Sequence, residues 1–402
     1  MKPYEEFFKG KRITVLGLGL LGRGVGDVEF LAKCGAEVLV TDKKTEAELA
    51  ESVAKLKQHS NITFHLGGHR KEDFSPPAGG CDLVIKSAGV RLDSPEIAAA
   101  RAAGIPIAMS TALFAKYATE AGAKIVGVTG TRGKSTVSHM IYHTLESGMP
   151  GRSKGFSEFS DRAPRPFLGG NIRGISTLAM LPDIKKGDIA VLELDSWQLQ
   201  GFGDLKISPN ISVFTNLMPD HQNYYKDMDE YFADKANIFR YQKADDVLIV
   251  GSAIADKVRA AQPPLDPIIP ERIPSDWTLQ LVGEHNRENA SFANAALQAL
   301  GLSEEEIRAG LESFESVEGR LQFVREIKGV KIYNDNSATT QEATIAALRA
   351  VGDPNERKVV LIAGGDDKML DMSGLINEIP KWCSKVVLFK ERGTDRIRDS
   401  VF

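Results

Sequence analysis

Cysteine is scarce in this chain: Cys34, Cys81 and Cys383 are the only three in 402 residues, and no two form a CxxC pair. That spacing excludes a thiolate zinc cluster and a disulfide framework, so buried structural thiols in a reducing compartment are expected. Long apolar runs are missing as well. The most apolar stretches are strand-sized and broken by glycine or charge, so no membrane insertion is expected. The N-terminus, Met1-Lys-Pro-Tyr-Glu-Glu, carries acids where a secretion signal needs an apolar run, which makes the cytoplasm the expected location. Nor is there an excess of one charge. Fifty basic residues face 54 acidic ones, a net charge of -4, which argues against the cationic face of a bulk nucleic-acid binder. Internal repeats and low-complexity tracts are absent too.

What remains is the composition of a well-packed soluble protein, 42% hydrophobic and 26% charged. Its 402 residues exceed one ordinary core, so two or three domains are expected. In the first segment, strand signals at 12–16, 36–41, 83–86 and 105–108 alternate with a helix at 24–33, a pattern of βαβ units on a parallel sheet. A small-residue joint at 118–122 closes it. The second segment has strands at 124–128, 189–194, 211–216 and 247–250, with helices at 135–147, 231–239 and 284–300. A Pro/Gly/Ser-rich stretch at 148–166 reads as a surface loop. The third follows a helix at 303–311. Its strands at 331–334, 359–363 and 385–389 and helices at 343–351 and 375–382 suggest another parallel α/β layer. The boundaries read as 1–119, 120–312 and 313–402.

The sharpest motif is Thr129-Gly130-Thr131-Arg132-Gly133-Lys134-Ser135-Thr136, between a strand and a helix. Glycines let backbone amides turn inward around an anion, and the helix N-terminus adds partial positive charge. Lys134 is placed to reach the β- and γ-phosphates, and the Ser135 hydroxyl to ligate Mg2+. Strict Walker spacing asks for glycine where Val128 stands, so this is a variant loop. A glycine-rich turn with an incidental lysine ranks far behind.

A second glycine pattern, Gly17-Leu-Gly19-Leu20-Leu21-Gly22, follows the first strand, and Asp42 ends the second. This is the setting of a dinucleotide fingerprint. On the motif alone the ligand stays open between NAD, another nucleotide diphosphate such as a UDP-sugar, and none at all, a structural turn. Glu193 ends an apolar strand, where a carboxylate faces the ligand crevice of an open sheet and suits Mg2+. An exposed strand-end glutamate is at least as ordinary. His221 follows the next strand end, in Asn216-Leu-Met-Pro-Asp220-His221. Lys235 sits on a helix, where solvation is the usual explanation.

Together these residues resemble the Mur ligase family, whose members build the peptide of bacterial peptidoglycan. The resemblance rests on the TGTxGKS/T loop, the strand-end Glu193, Asn216…Asp220-His221, the helical Lys235 and His285-Asn286-Arg-Glu-Asn289, in order along nearly the whole chain. It implies three α/β domains: a Rossmann-like UDP-binding domain, a central P-loop ATPase-type domain and a C-terminal Rossmann-like domain. The glycine-rich first domain, Gly169-Gly170-Asn171-Ile172, Leu192-Glu193-Leu194-Asp195-Ser196-Trp197-Gln198, Ala363-Gly364-Gly365-Asp366-Asp367-Lys368 and Asn334-Asp335-Asn336-Ser337-Ala338-Thr339 are similar to those of members that add D-glutamate to UDP-N-acetylmuramoyl-L-alanine.

The resemblance further implies an ATP-dependent amide ligase working through an acyl phosphate. Lys134 would neutralise phosphate. Ser135 and Glu193 would hold one Mg2+, and His221 with a carbamylated Lys235 a second, because an ammonium cannot ligate a cation. Gly130, Thr131, Gly133, Thr136, Asn286, Asn289, Arg320 and Asp335 would bind ATP. Gly19, Leu20, Leu21, Gly22, Asp42, Ser87, Gly89, Asn171 and Gln198 would bind the UDP substrate, and Thr339 and Lys368 the D-glutamate. A monomer is expected.

Three departures stand out: Asp195 where serine is common, Ser337 where lysine is common, and an end at Phe402 before the segment that closes the amino-acid pocket. The last suggests a shortened chain with poor ligation. Two further readings follow, a non-catalytic UDP-sugar or nucleotide-binding form and a ligase for another amino acid. A nicotinamide oxidoreductase leaves the second loop, Glu193 and His221 unexplained, and folylpolyglutamate ligases lack the glycine-rich first domain.

Overall fold

The computed structural model describes residues 1–19, 22–74, 80–148, 164–221, 224–366 and 370–398. In the N-terminal unit the chain runs α1 (Pro3–Phe8), β1 (Arg12–Leu16), α2 (Arg23–Lys33), β2 (Glu37–Asp42), α3 (Ala50–Leu56), β3 (Ile62–Leu66), β4 (Leu83–Lys86), α4 (Pro95–Ala102), β5 (Ile107–Ala108) and α5 (Ser110–Glu120). Its parallel sheet has the order β3-β2-β1-β4-β5, so the strand order reverses beside β1. The glycine loop leaves β1 at that reversal, the place where open sheets bind ligands.

The central unit follows the same logic. It comprises β6 (Lys124–Thr129), α6 (Lys134–Gly148), β7 (Pro166–Gly170), β8 (Ile189–Glu193), α7 (Ser196–Leu205), β9 (Ile211–Phe214), α8 (Met228–Lys235), β10 (Val247–Val250), α9 (Ala255–Ala260), α10 (Glu284–Ala299) and α11 (Glu304–Ser313). Its five strands, all parallel, run β10-β9-β6-β8-β7. β6 is therefore the middle strand, flanked by β8 and β9, and the ends of all three meet at one edge. The strands β3 and β7 and the helix α7 are additions to the sequence reading. Most of the proposed 148–166 loop lies outside the described residues, and its last residue, Pro166, opens β7.

One continuous hydrophobic cluster joins these two units, from Phe8, Val28 and Val40 through Phe114 and Ala118 to Leu192, Phe202 and Phe239. Helix α5 crosses α7 closely at Gly201, where a side chain would sit 2.8 Å from Met109. The other face of the central sheet buries Val126, Val191 and Val213 under Ile141, Phe292 and Leu297.

The third segment differs from the expected single parallel layer. Here β11 (Gln322–Ile327) and β12 (Val330–Asn334) form an antiparallel hairpin. β13 (Val359–Ala363) and β14 (Cys383–Leu388) form a separate parallel pair. Helices α12 (Gln341–Val351) and α13 (Ser373–Trp382) cover one face of that pair, and α14 (Arg392–Asp395) follows. Leu348, Leu375, Ile379 and Cys383 form the buried cluster there, while Val360, Ile362, Val387 and Phe389 stay exposed. Of the cysteines, Cys383 is buried as expected, whereas Cys34 and Cys81 are only half-buried.

Candidate active site

The phosphate loop begins where β6 ends. Gly130 has φ +145°, and a side chain there would run into the Thr215 hydroxyl, so only glycine lets the loop pass the end of β9. A side chain on Gly133 would meet Asn289, which places that residue of α10 against the loop. Asn289 donates to Asn286 at 3.2 Å, and both amides are buried. The Lys134 ammonium folds over the loop and donates to the carbonyls of Gly130 (2.9 Å) and Thr131 (3.1 Å). Lost hydration lowers its pKa, and the Glu193 carboxylate opposes that shift. Ser135 follows it in the first turn of α6, with Thr136 buried behind.

Strand register brings the acidic partner to this edge. Val128 lies opposite Glu193 in the β6–β8 ladder, and Gly170 lies opposite Glu193 in the β7–β8 ladder. Glu193 is buried rather than an exposed strand end. Asn171, just past β7, donates its backbone amide to the Glu193 carbonyl at 2.8 Å and its side-chain amide to Oε1 at 3.4 Å. On the other side, His221 has φ +54°, and its amide donates to Asp220 at 2.9 Å. Its ring lies 4.7 Å from the Trp197 ring, and burial lowers its pKa.

Lys235 is not the solvated helix lysine that is its ordinary explanation. It is 1% exposed, and its Nζ donates to the Gly130 carbonyl at 2.9 Å and to Thr129 Oγ1 at 3.3 Å. Burial and the nearby Lys134 charge push its pKa well below the usual lysine range. Two lysines thus flank one loop carbonyl, an arrangement suited to polyanionic phosphate.

The third segment reaches the loop through a residue that sequence reasoning passed over. Arg132 donates to Asp220 (3.0 Å) and to the buried Thr340 Oγ1 (2.8 Å), whereas the neighbouring Thr339 is exposed. Arg320 donates to the Ser337 carbonyl at 3.0 Å and contributes to the electrostatic field at Lys134. Asp335 accepts the Leu321 amide at 2.8 Å, and burial raises its pKa. Lys368 lies outside the described residues.

A cavity of about 280 Å³ opens at the strand reversal beside β1 and brings together Gly19, Ser87, Gly89 and Gln198. Gly22 forms the left-handed cap of α2, while Leu20 and Leu21 lie outside the described residues. Asp42 is off the cavity wall. Its carboxylate instead accepts the amides of Leu18 (2.8 Å) and Lys44 (3.0 Å), bracing the glycine loop. Gln198 shares a capping box with Asp195, whose carboxylate accepts the Gln198 amide at 2.7 Å, a role that a serine would also fill. Two cations on this wall, Arg23 and Lys86, were absent from the sequence reading.

Among the described residues, no three His, Cys, Asp or Glu side chains converge as a metal cage. The chemistry present fits Mg2+ held jointly by protein and phosphate oxygens: a buried carboxylate at Glu193 and a hydroxyl at Ser135. Also among the described residues, no helix is long and apolar enough to cross a membrane.

Comparison with known proteins agrees with this geometry. Residues 11–109 match the Mur ligase MurD-like N-terminal domain, 128–263 the Mur ligase middle domain, and 319–401 the Mur ligase glutamate ligase domain. The UDP-N-acetylmuramoylalanine–D-glutamate ligase of Roseiflexus sp. (strain RS-1) is 34% identical over 97% of this chain and 85% of its own length. That of Clostridium kluyveri is 33% identical over 93% and 80%. Among solved structures, the UDP-N-acetylmuramate–alanine ligase of Thermotoga maritima shares the fold at 20% identity, with TM-score 0.59 over 97% of this chain and 88% of that one. The Thermotoga maritima MurF ligase in complex with ADP shares it at 16% identity, with TM-score 0.51 over 90% of this chain and 93% of that one. Glycine loop, phosphate loop and strand-end acid thus occur together in one three-part chain, and this chain belongs to the Mur ligase family.

Proposed function

We propose that the chain joins D-glutamate to UDP-N-acetylmuramoyl-L-alanine at the expense of ATP, in peptidoglycan precursor synthesis. The observation that carries this is the meeting of Glu193, His221 and the buried Lys235 on the Lys134 loop, at one edge of the central sheet. The names of the relatives supply the amino acid. Residues 120–312 would bind ATP, 1–119 the UDP substrate and 313–402 the amino acid.

In the first step an oxygen of the muramoyl-alanine carboxylate attacks the γ-phosphorus, giving an acyl phosphate and ADP. The D-glutamate amine then attacks the acyl carbon, the amide bond forms, a proton leaves the nitrogen, and inorganic phosphate departs. Phosphoryl transfer of this kind is mostly positioning and charge neutralisation. Lys134 neutralises phosphate charge, while Asn286, Asn289, Arg320 and Asp335 hold the nucleotide. Thr339 and Lys368 hold D-glutamate, and Asn171 and Gln198 orient the muramoyl part. Ser135 and Glu193 would hold one Mg2+, and His221 with Lys235 a second; bound magnesium supplies positive charge to the phosphates. Lys235 can serve only as a carbamate. Its depressed pKa favours the neutral amine, the form that adds CO2 and releases a proton. We read the protein as a cytoplasmic monomer.

The test is ATP-dependent phosphate release with UDP-N-acetylmuramoyl-L-alanine and D-glutamate, L-glutamate, L-lysine or no amine. Turnover with D-glutamate alone is expected. Turnover with a different amine would overturn the specificity, and no turnover with any amine would overturn the enzymatic reading.

A further inference from the structure

Arg23 and Lys86 stand on the wall of the 280 Å³ cavity, and among the described residues neither has a carboxylate within ion-pair distance. Lys86 is 2% exposed; its ammonium donates to the Val90 carbonyl at 3.1 Å, and Asp195, Asp204 and Asp234 act on it only at longer range. Arg23 opens α2 directly after the left-handed Gly22, in a first turn that carries no acid. Its Nη1 donates to Asn171 Oδ1 at 2.9 Å and reaches the Gly170 carbonyl at 3.5 Å. The nearest acid on its helix, Asp27, takes the Ser176 hydroxyl at 2.6 Å, and burial shifts its carboxyl toward the neutral form. The cavity wall therefore carries two cations, Arg23 and Lys86, and one carboxyl, Asp27, which is taken up by the Ser176 hydroxyl and makes no close ion pair with either of them.

Position fixes the use. A side chain on Gly24 would run into the Leu18 carbonyl, so the start of α2 interlocks with the glycine loop and sets where Arg23 projects. The contact also fixes Asn171. With its oxygen held by Arg23, its amide nitrogen points to Glu193 Oε1 at 3.4 Å. A chain of contacts thus runs from the cavity to the phosphate loop.

We propose that Arg23 binds the diphosphate of the UDP substrate and orients Asn171 toward Glu193, joining the two nucleotide sites across the cleft. The proposal rests on the reading of the cavity as the UDP site. A guanidinium fork matches two phosphate oxygens at once, and the adjacent helix N-terminus adds to the attraction.

The test measures binding of UDP, uridine and UDP-N-acetylmuramoyl-L-alanine by wild type, Arg23→Ala and Arg23→Lys, with thermal midpoints as a folding control. Arg23→Ala should weaken UDP and the muramoyl ligand about 10-fold or more, as loss of a charge-assisted contact does, and leave uridine unchanged. Arg23→Lys should recover part of the loss. Unchanged UDP affinity would overturn the proposal, and so would an equal loss for UDP and uridine, which would mark Arg23 as a brace of the fold. A wild-type protein that binds neither UDP nor its muramoyl derivative would instead overturn the reading of the cavity itself.

Discussion

Lys235 shows how one position can carry two readings in sequence, a solvated helix lysine or a member of the site. A lysine on a helix is ordinarily solvated, yet this one is enclosed between Tyr231, its Nζ 4.9 Å from the ring centre, and the Gly130 carbonyl. Nothing in the spacing of 231–239 announces that burial, because it depends on where β6 ends in three dimensions. The enclosure makes a specific demand. A buried amine beside a second lysine gains most from conversion to an anion. Lys235→Ala should therefore lose ATP turnover and regain part of it with added formate or acetate, which can stand where the carbamate stood. Full activity without rescue would show that the side chain takes no part.

The β–α alternation that marks both parallel sheets was plain in the apolar runs at 12–16, 83–86, 124–128, 189–194 and 247–250, and the structure keeps each within a residue or so. Elements whose sequences lack that contrast were missed. β7 is Pro166-Phe-Leu-Gly-Gly170, where two glycines and a proline conceal a strand whose ladder partner is β8. The helix α7 was passed over because its first residues read only as part of a family motif, when Asp195 and Gln198 also cap it. Arg132, Arg23 and Thr340 carried no recognisable spacing; each matters through a contact with a distant element. The cap on α7 can be tested on its own. Asp195→Ala should lower stability by about 1 kcal/mol in chemical denaturation, and Asp195→Asn should retain most of it.

The whole molecule is unequal in its cohesion. The first two units share one large apolar cluster, whereas the third has a small buried cluster of its own, Leu348, Leu375, Ile379 and Cys383. It meets the phosphate loop through Arg132 and Thr340, and Ala350 packs on Gly283. Calorimetry should accordingly show two transitions, the lower from residues 319–398, and a chain ending near residue 315 should lose only that one. A single transition would mean that the Arg132 contact couples the third segment far more tightly than its small core suggests.

The close crossing of α5 and α7 at Gly201 also bears on how such a chain can be inherited. A recombination that joined the N-terminal unit of one relative to the central unit of another would have to match both sides of an interlocked helix pair. Exchange of the third segment would have to respect a smaller set of contacts, among them those of Thr340 and Ala350. Divergence by swapping pieces should therefore be easiest in the third segment, and hardest across the helix pair that interlocks the first two units.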